Sequence, residues 1–177
     1  VYKRQYGDNA EYSYFEGCSQ GGRQAFMSAQ RYPQDFDGII AGAPAFNYQG
    51  LNATGTWNLQ RIFRNNLVGN LAADSTGDGS PDSLALRDKL HDRVMMKCDA
   101  RDGVPDGVIG DPLACDFNPS VDLSDLMCSS DTAGSDSFTT AQLQTINDLY
   151  NGPSDSSGRA VYPGKMFGSE LRWAGYY

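Results

Sequence analysis

The pentapeptide Gly17-Cys18-Ser19-Gln20-Gly21 constrains this chain more than any other stretch. It is a G-x-S-x-G pattern with β-forming residues before it (Tyr12-Ser13-Tyr14-Phe15) and a helix-like run after it (Gly22 to Tyr32). A strand that turns sharply into a helix at a serine is the setting of a nucleophile elbow, which lifts the hydroxyl to the top of a sheet. The turn is so tight that small residues are needed two positions either side of the serine, hence the glycines at 17 and 21. The elbow also fixes a fold class, because it needs a parallel sheet with a helix packed on it. The central residue is the one presented, so Ser19 rather than Cys18 is the expected nucleophile.

Neighbouring segments agree with α/β. Tyr12 to Glu16 reads as a strand, and Gln20 to Tyr32 as a helix with Ala25, Phe26, Ala29 and Tyr32 on one face, stopped by Pro33. Gly38-Ile39-Ile40-Ala41-Gly42 is a short apolar run between glycines, the mark of a buried parallel strand. Beyond residue 46 the character changes. Thr56 to Leu67 reads as a helix with Leu59, Ile62 and Phe63 on one face. Asp74 to Asp82 reads as a polar linker. Pro81-Asp82-Ser83 opens a helix to Lys97 with Leu86, Leu90 and Val94 at i, i+4 and i+8. Asp99 to Asp136 shows no period. Thr139 or Thr140 caps a last helix with Leu143, Ile146, Leu149 and Tyr150 along one stripe and Gly152 past its end. The expected organisation is α/β, with residues 1–46 as part of a sheet-based core and 47–177 as a loop-rich, mostly helical insertion.

Charge excludes some partners. The 177 residues carry a formal net charge of -8, so no basic face exists for phosphates of nucleic acid or for an anionic membrane surface. No apolar run approaches the roughly 20 residues that span a bilayer. The chain does not begin with Met and reads as a segment of a longer protein.

The four cysteines, Cys18, Cys98, Cys115 and Cys128, include no C-x-x-C pair, which disfavours zinc. Cys98 and Cys115 bracket a polar loop and suit a local disulfide, which implies an oxidising compartment; four free thiols in a cytosolic protein are the alternative. Within that loop Asp99, Asp102 and Asp106 stand at i, i+3 and i+7, with Gly103 and Gly107 allowing sharp turns. Oxygen-only ligands favour a hard cation such as Ca²⁺, with the carbonyls of Val104 and Val108 available to complete the site. A solvated acidic turn is the alternative reading. Asn52-Ala53-Thr54 is a glycosylation sequon, relevant only in a eukaryotic secretory host.

A serine hydroxyl needs a base. The only histidine, His91, lies mid-helix in a charged segment and reads as an exposed helix residue rather than that base. The base is therefore expected beyond Tyr177. The backbone N–H of Gln20, at the start of the helix, is the expected oxyanion donor.

Tyr14 to Gln24, followed by Ala29-Gln30-Arg31-Tyr32-Pro33-Gln34-Asp35-Phe36-Asp37-Gly38-Ile39-Ile40-Ala41-Gly42-Ala43-Pro44-Ala45, resembles the tannase and feruloyl esterase family. The Cys98 to Cys115 loop resembles that family's calcium site. Asn151-Gly152-Pro153, Gly158-Arg159, Tyr162-Pro163-Gly164 and Gly168-Ser169-Glu170 resemble its lid. The resemblance implies a partial α/β-hydrolase core followed by a lid inserted after residues 42–45, and hydrolysis of small-molecule aromatic esters through an acyl-enzyme. It implies that Ser19 is the nucleophile and that Cys18 bonds to a cysteine beside the catalytic histidine, outside this chain. It implies that Asp99, Asp102, Val104, Asp106 and Val108 hold Ca²⁺, the valines through their carbonyls. Secretion or a periplasmic location follows. Without the catalytic Asp and His, which the family carries after the lid, the chain is expected to be inactive alone. The family usually has a cysteine where Ser137 stands, which leaves Cys128 without a local partner. The competing reading is a non-catalytic, calcium-stabilised extracellular binding module.

Overall fold

The computed structural model describes residues 7, 10–63, 83–132, 134 and 136–175. The chain divides into two compact units, Val1–Leu51 and Asn52–Tyr177. The expected polar linker at Asp74 to Asp82 lies outside the described residues, as does the end of the helix expected to reach Leu67.

The first unit is a β–α–β arrangement. Strand β1 (Tyr14–Cys18) pairs in parallel with β2 (Gly38–Gly42), in register from Tyr14 opposite Gly38 to Cys18 opposite Gly42. Helix α1 (Gln20–Arg31) connects them. The strand begins two residues later than expected. Ser13 instead ties its backbone N–H to the Asp37 carboxylate at 2.7 Å and its hydroxyl to the Asp35 carbonyl at 3.1 Å, aligning the two strands. The buried face of α1 is Gly22 and Ala25. Phe26, Ala29 and Tyr32 are exposed, against expectation. Backbone closeness explains the difference: a Cβ on Gly22 would lie 2.5 Å from the Gly42 carbonyl oxygen, so only the smallest side chains fit that face. The apolar strand β2 is not deeply buried either, with Ile40 exposed and only β1 beside it among the described residues.

Helix α2 (Tyr48–Phe63) starts eight residues earlier than the sequence suggests. Asn47 caps it, its side-chain oxygen accepting from the Gly50 N–H at 3.0 Å. Glycines at 50 and 55 mask that start, since glycine is a poor helix former. Its inward positions are Thr54, Asn58 and Ile62; Phe63 faces out.

The second unit is built on α3 (Ser83–Cys98), whose Leu86, Leu90, Val94 and Cys98 are all almost fully buried at a four-residue spacing. That stripe was legible because a straight i+4 row is the helix's own geometry. Packed around it are Ile62, Phe117, Leu123, Phe138, Ile146, Leu149 and Trp173. The aperiodic stretch after α3 is a series of short turns, including α4 (Pro119–Asp122). Lys97 of α3 holds this stretch through an ion pair to Asp122 at 2.7 Å. Helix α5 (Thr140–Asn151) begins with a capping box: Thr139 Oγ1 accepts from the Gln142 N–H, and the Gln142 side chain accepts from the Thr139 N–H.

The backbone around residues 126–138 closes on itself. Phe138 N–H donates to the Leu126 carbonyl (2.7 Å) and Cys128 N–H to the Phe138 carbonyl (2.9 Å). This brings Cys128, a free thiol, against Ser137, with Sγ and Oγ 2.7 Å apart. Ser137→Cys therefore forms a disulfide on air oxidation, raising stability by about 2–3 kcal/mol for so short a loop. Loss of free-thiol titre at position 128 with a higher melting temperature is the expected readout; a variant that keeps all its thiols contradicts it.

Candidate active site

Ser19 sits between β1 and α1 with φ 58° and ψ −113°, a conformation that L-residues avoid. Such strain costs about 1–3 kcal/mol and persists only where surrounding contacts hold it. Three backbone hydrogen bonds do so. Ser19 N–H donates to the Gly42 carbonyl, and the Ser19 carbonyl accepts from Arg23 and Ala45, each at 3.1 Å. The serine is thereby fastened to the end of β2 and to the loop that follows it. Its side chain is exposed.

The glycines act differently from the simple expectation. A Cβ on Gly17 would come 2.4 Å from the Gly21 carbonyl carbon, so residue 17 cannot carry a side chain. A Cβ on Gly21 would meet nothing within 4 Å. The tight constraint lies at Gly17 and at Gly22, and residue 21 matters through its backbone. Gln20 opens α1, where the first N–H groups lack intrahelical acceptors and point out of the helix end. Its backbone N–H therefore stands at the helix start, one residue from the Ser19 hydroxyl. Cys18 is a free, exposed thiol here.

In the second unit Cys98 and Cys115 are disulfide-bonded, with Cα atoms 5.4 Å apart across 17 positions. The loop they close is shaped by its aspartates. Asp99 Oδ1 accepts from the Gly107 N–H (3.0 Å), Asp102 from Val104 (3.0 Å) and Gly110 (2.7 Å), and Asp106 from Val108 (3.1 Å). The N–H groups of Val104 and Gly110 hold the Asp102 carboxyl below its usual range. Gly103 and Gly107 turn the chain at positive φ, 95° and 83°. Arg101 ties the base of the loop to Asp116 at 2.7 Å and to the Ala114 carbonyl at 3.2 Å. The donor set is all oxygen, as a hard cation requires. Among the described residues, however, no three His, Cys, Asp or Glu side chains converge on one point as a metal site.

His91 differs from its reading as an exposed residue. Only 17 % of its side chain is accessible, and Nδ1 lies 2.8 Å from Oε2 of the wholly buried Glu170. Glu170 Oε1 accepts from the Tyr150 hydroxyl (2.8 Å) and the Gly168 N–H (2.9 Å). The Tyr150 phenol is pushed far up, first by burial and then by the Glu170 charge. This cluster was missed in the sequence. Its one signal was Glu170, the lone carboxylate side chain between residues 156 and 177.

Over residues 1–177 the chain matches the family described as "Tannase and feruloyl esterase". It belongs to that family. Among curated relatives, a probable feruloyl esterase B-1 from Aspergillus oryzae is 36% identical over 93% of this chain and 28% of its own length. A probable feruloyl esterase B from Aspergillus clavatus is 38% identical over 92% of this chain and 28% of its own length. Among solved structures, feruloyl esterase B from Aspergillus oryzae superposes with a TM-score of 0.71 at 32% identity, covering 99% of this chain and 33% of that one. A tannin acyl hydrolase from Aspergillus niger gives 0.63 at 25% identity, covering 94% and 29%. The chain thus spans about a third or less of the length of these family members. No described helix is long and apolar enough to cross a membrane.

Proposed function

We propose that this chain carries the nucleophile of a serine carboxylic-ester hydrolase acting on esters of aromatic acids, of the hydroxycinnamic or gallic type. The single observation that carries this reading is the strained, exposed Ser19 at the turn from β1 into α1. In the reaction Ser19 Oγ attacks the ester carbonyl while a base takes its proton. The Gln20 N–H stabilises the oxyanion, the alcohol leaves, and water releases the acid from the acyl-serine. His91 is bound to Glu170 in the second unit, so the base and its orienting acid are sought in the part of the protein outside residues 1–177. The first unit is read as part of an α/β-hydrolase core and the second as a lid. The names of the relatives support aromatic esters, and the Cys98–Cys115 bridge supports a secreted or periplasmic location.

A fluorophosphonate probe on the intact protein tests the reading, because only an activated hydroxyl reacts. Labelling that maps to Ser19, with turnover of methyl ferulate, methyl gallate or mono(hydroxyethyl) terephthalate, is the expected result. A protein that binds these compounds without labelling or turnover is instead the non-catalytic binding module.

We assign structural Ca²⁺ to the loop of Asp99, Asp102, Val104, Asp106 and Val108. The second carboxylate oxygens of Asp99 and Asp106 accept no hydrogen bond among the described residues, and are the natural additional ligands. Bound calcium would neutralise the repulsion of the three carboxylates. EGTA is then expected to lower the melting temperature by several degrees, with recovery on adding Ca²⁺ and not Mg²⁺. An unchanged melting curve removes the ion from this loop.

A further inference from the structure

Ser19 has a strained neighbour in the first unit. Ala43, next to the end of β2 at Gly42, also lies at positive φ, 35°. The two strained segments are bonded to each other: Ser19 N–H donates to the Gly42 carbonyl, and the Ser19 carbonyl accepts the Ala45 N–H. Relaxation of either would strip these bonds from the other. Strain of this kind persists only where surrounding structure holds it.

The support comes from α1. Pro44 lies against the helix backbone, where a Cβ on Gly22 would come 2.9 Å from the Pro44 Cα. Past Pro44 the chain turns within two residues, Phe46 N–H donating to the Pro44 carbonyl at 2.8 Å. The Phe46 ring then meets Phe26 of α1 edge to face, with centroids 5.1 Å apart. The Arg23 guanidinium stands over the Tyr48 ring, 5.0 Å from its centroid. Arg23 and Phe26 are three positions apart and so share one side of the helix. Arg23 also donates its backbone N–H to the Ser19 carbonyl, the same oxygen that Ala45 holds.

These ring contacts are made largely in solvent. Phe46 is 69 % exposed and Phe26 40 %, so exclusion of water does not account for their placement. An edge-to-face pair and a cation over a ring keep a preferred geometry even at the surface. They fix where the loop of residues 43–47 lies on α1.

We infer that Phe46 and Tyr48 are positioning residues. Their rings, gripped by Phe26 and Arg23, hold the Ala45 N–H on the Ser19 carbonyl and keep Ser19 in its strained conformation. The effect on reactivity rests on the reading of Ser19 as the nucleophile; the effect on the Ala45 hydrogen bond does not. Together the two contacts weight the held arrangement about five- to fiftyfold over a released one.

The test is the intact protein carrying Phe46→Leu and Tyr48→Leu together. Leucine keeps apolar bulk and suits the first turn of α2, but presents no ring to an edge or a cation. Amide hydrogen exchange at Ala45 is expected to quicken about five- to fiftyfold. The rate constant of fluorophosphonate labelling at Ser19, counted per site that finally reacts, is expected to fall by a similar factor. The kcat for methyl ferulate falls with it, while KM changes little. Counting per reacted site separates positioning from stability, since a merely structural loss lowers the number of reactive sites and not the rate of each. Phe46→Tyr with Tyr48→Phe keeps both rings and restores both rates. The inference is overturned if exchange at Ala45 is unchanged, if labelling per site keeps its rate, or if the variant with both rings behaves like the leucine one. If the wild-type protein is not labelled at Ser19, the esterase reading falls alone, and exchange at Ala45 decides whether the rings hold the loop.

Discussion

On the proposed reading of Ser19 as the nucleophile, Ser19→Ala is expected to reduce ester turnover by the intact protein at least about 10⁴-fold. Removing the nucleophile of such a catalytic group costs roughly four to six orders of magnitude, because what survives is only the oxyanion donor and substrate binding. The substitution deletes one exposed oxygen. The three bonds that hold the turn belong to the backbone of Ser19 and its neighbours, and they stay. The melting temperature should therefore be unchanged, and KM should move far less than kcat. A variant with more than a few per cent of wild-type turnover on methyl ferulate would show that another group attacks the ester. Cys18, exposed one residue earlier, is then the group to replace next.

The second large effect is on stability. Glu170→Ala takes the acceptor from three donors at once: His91 Nδ1, the Tyr150 hydroxyl and the Gly168 N–H. Glu170 is wholly inaccessible, so water cannot replace it without reopening the core. Leaving a buried polar group without its partner costs about 1–3 kcal/mol, and three lose theirs here. Against a total of roughly 5–15 kcal/mol for a domain, that is a large share. A fall of about 10 °C or more in the melting temperature of the second unit is expected. Glu170→Gln separates charge from hydrogen bonding. Its amide oxygen can still accept from Tyr150 and Gly168, while its NH₂ can donate to Nδ1 of a neutral His91. It should recover more than half of the loss. If Glu170→Ala and Glu170→Gln melt together, charge rather than geometry holds the cluster. If neither differs from wild type, the cluster contributes nothing to stability.

How far the sequence was legible depended on range. The elbow at Ser19 could be read because it involves residues 17 to 22, all within one turn. The α3 stripe at Leu86, Leu90 and Val94 could be read because helix periodicity is local. The Thr139 capping box and the Cys98–Cys115 loop are also short-range features. The misreadings fall where another part of the chain intervenes. Phe26 and Ala29 were expected inside α1's face, but the close pass of β2's end at Gly42 restricts that face to Gly22 and Ala25. His91 was expected in solvent, but Glu170, 79 positions later, covers it.

The amino-acid order alone determined where the strained, exposed serine would stand and why its backbone must turn there, since a tight bend is a property of a few adjacent residues. It likewise determined which helix would be the spine of the second unit, through a repeat the helix itself imposes. Only the tertiary structure decided which polar groups would be buried together. Those pairings join residues tens of positions apart, and their energies depend on the loss of water that packing alone brings about.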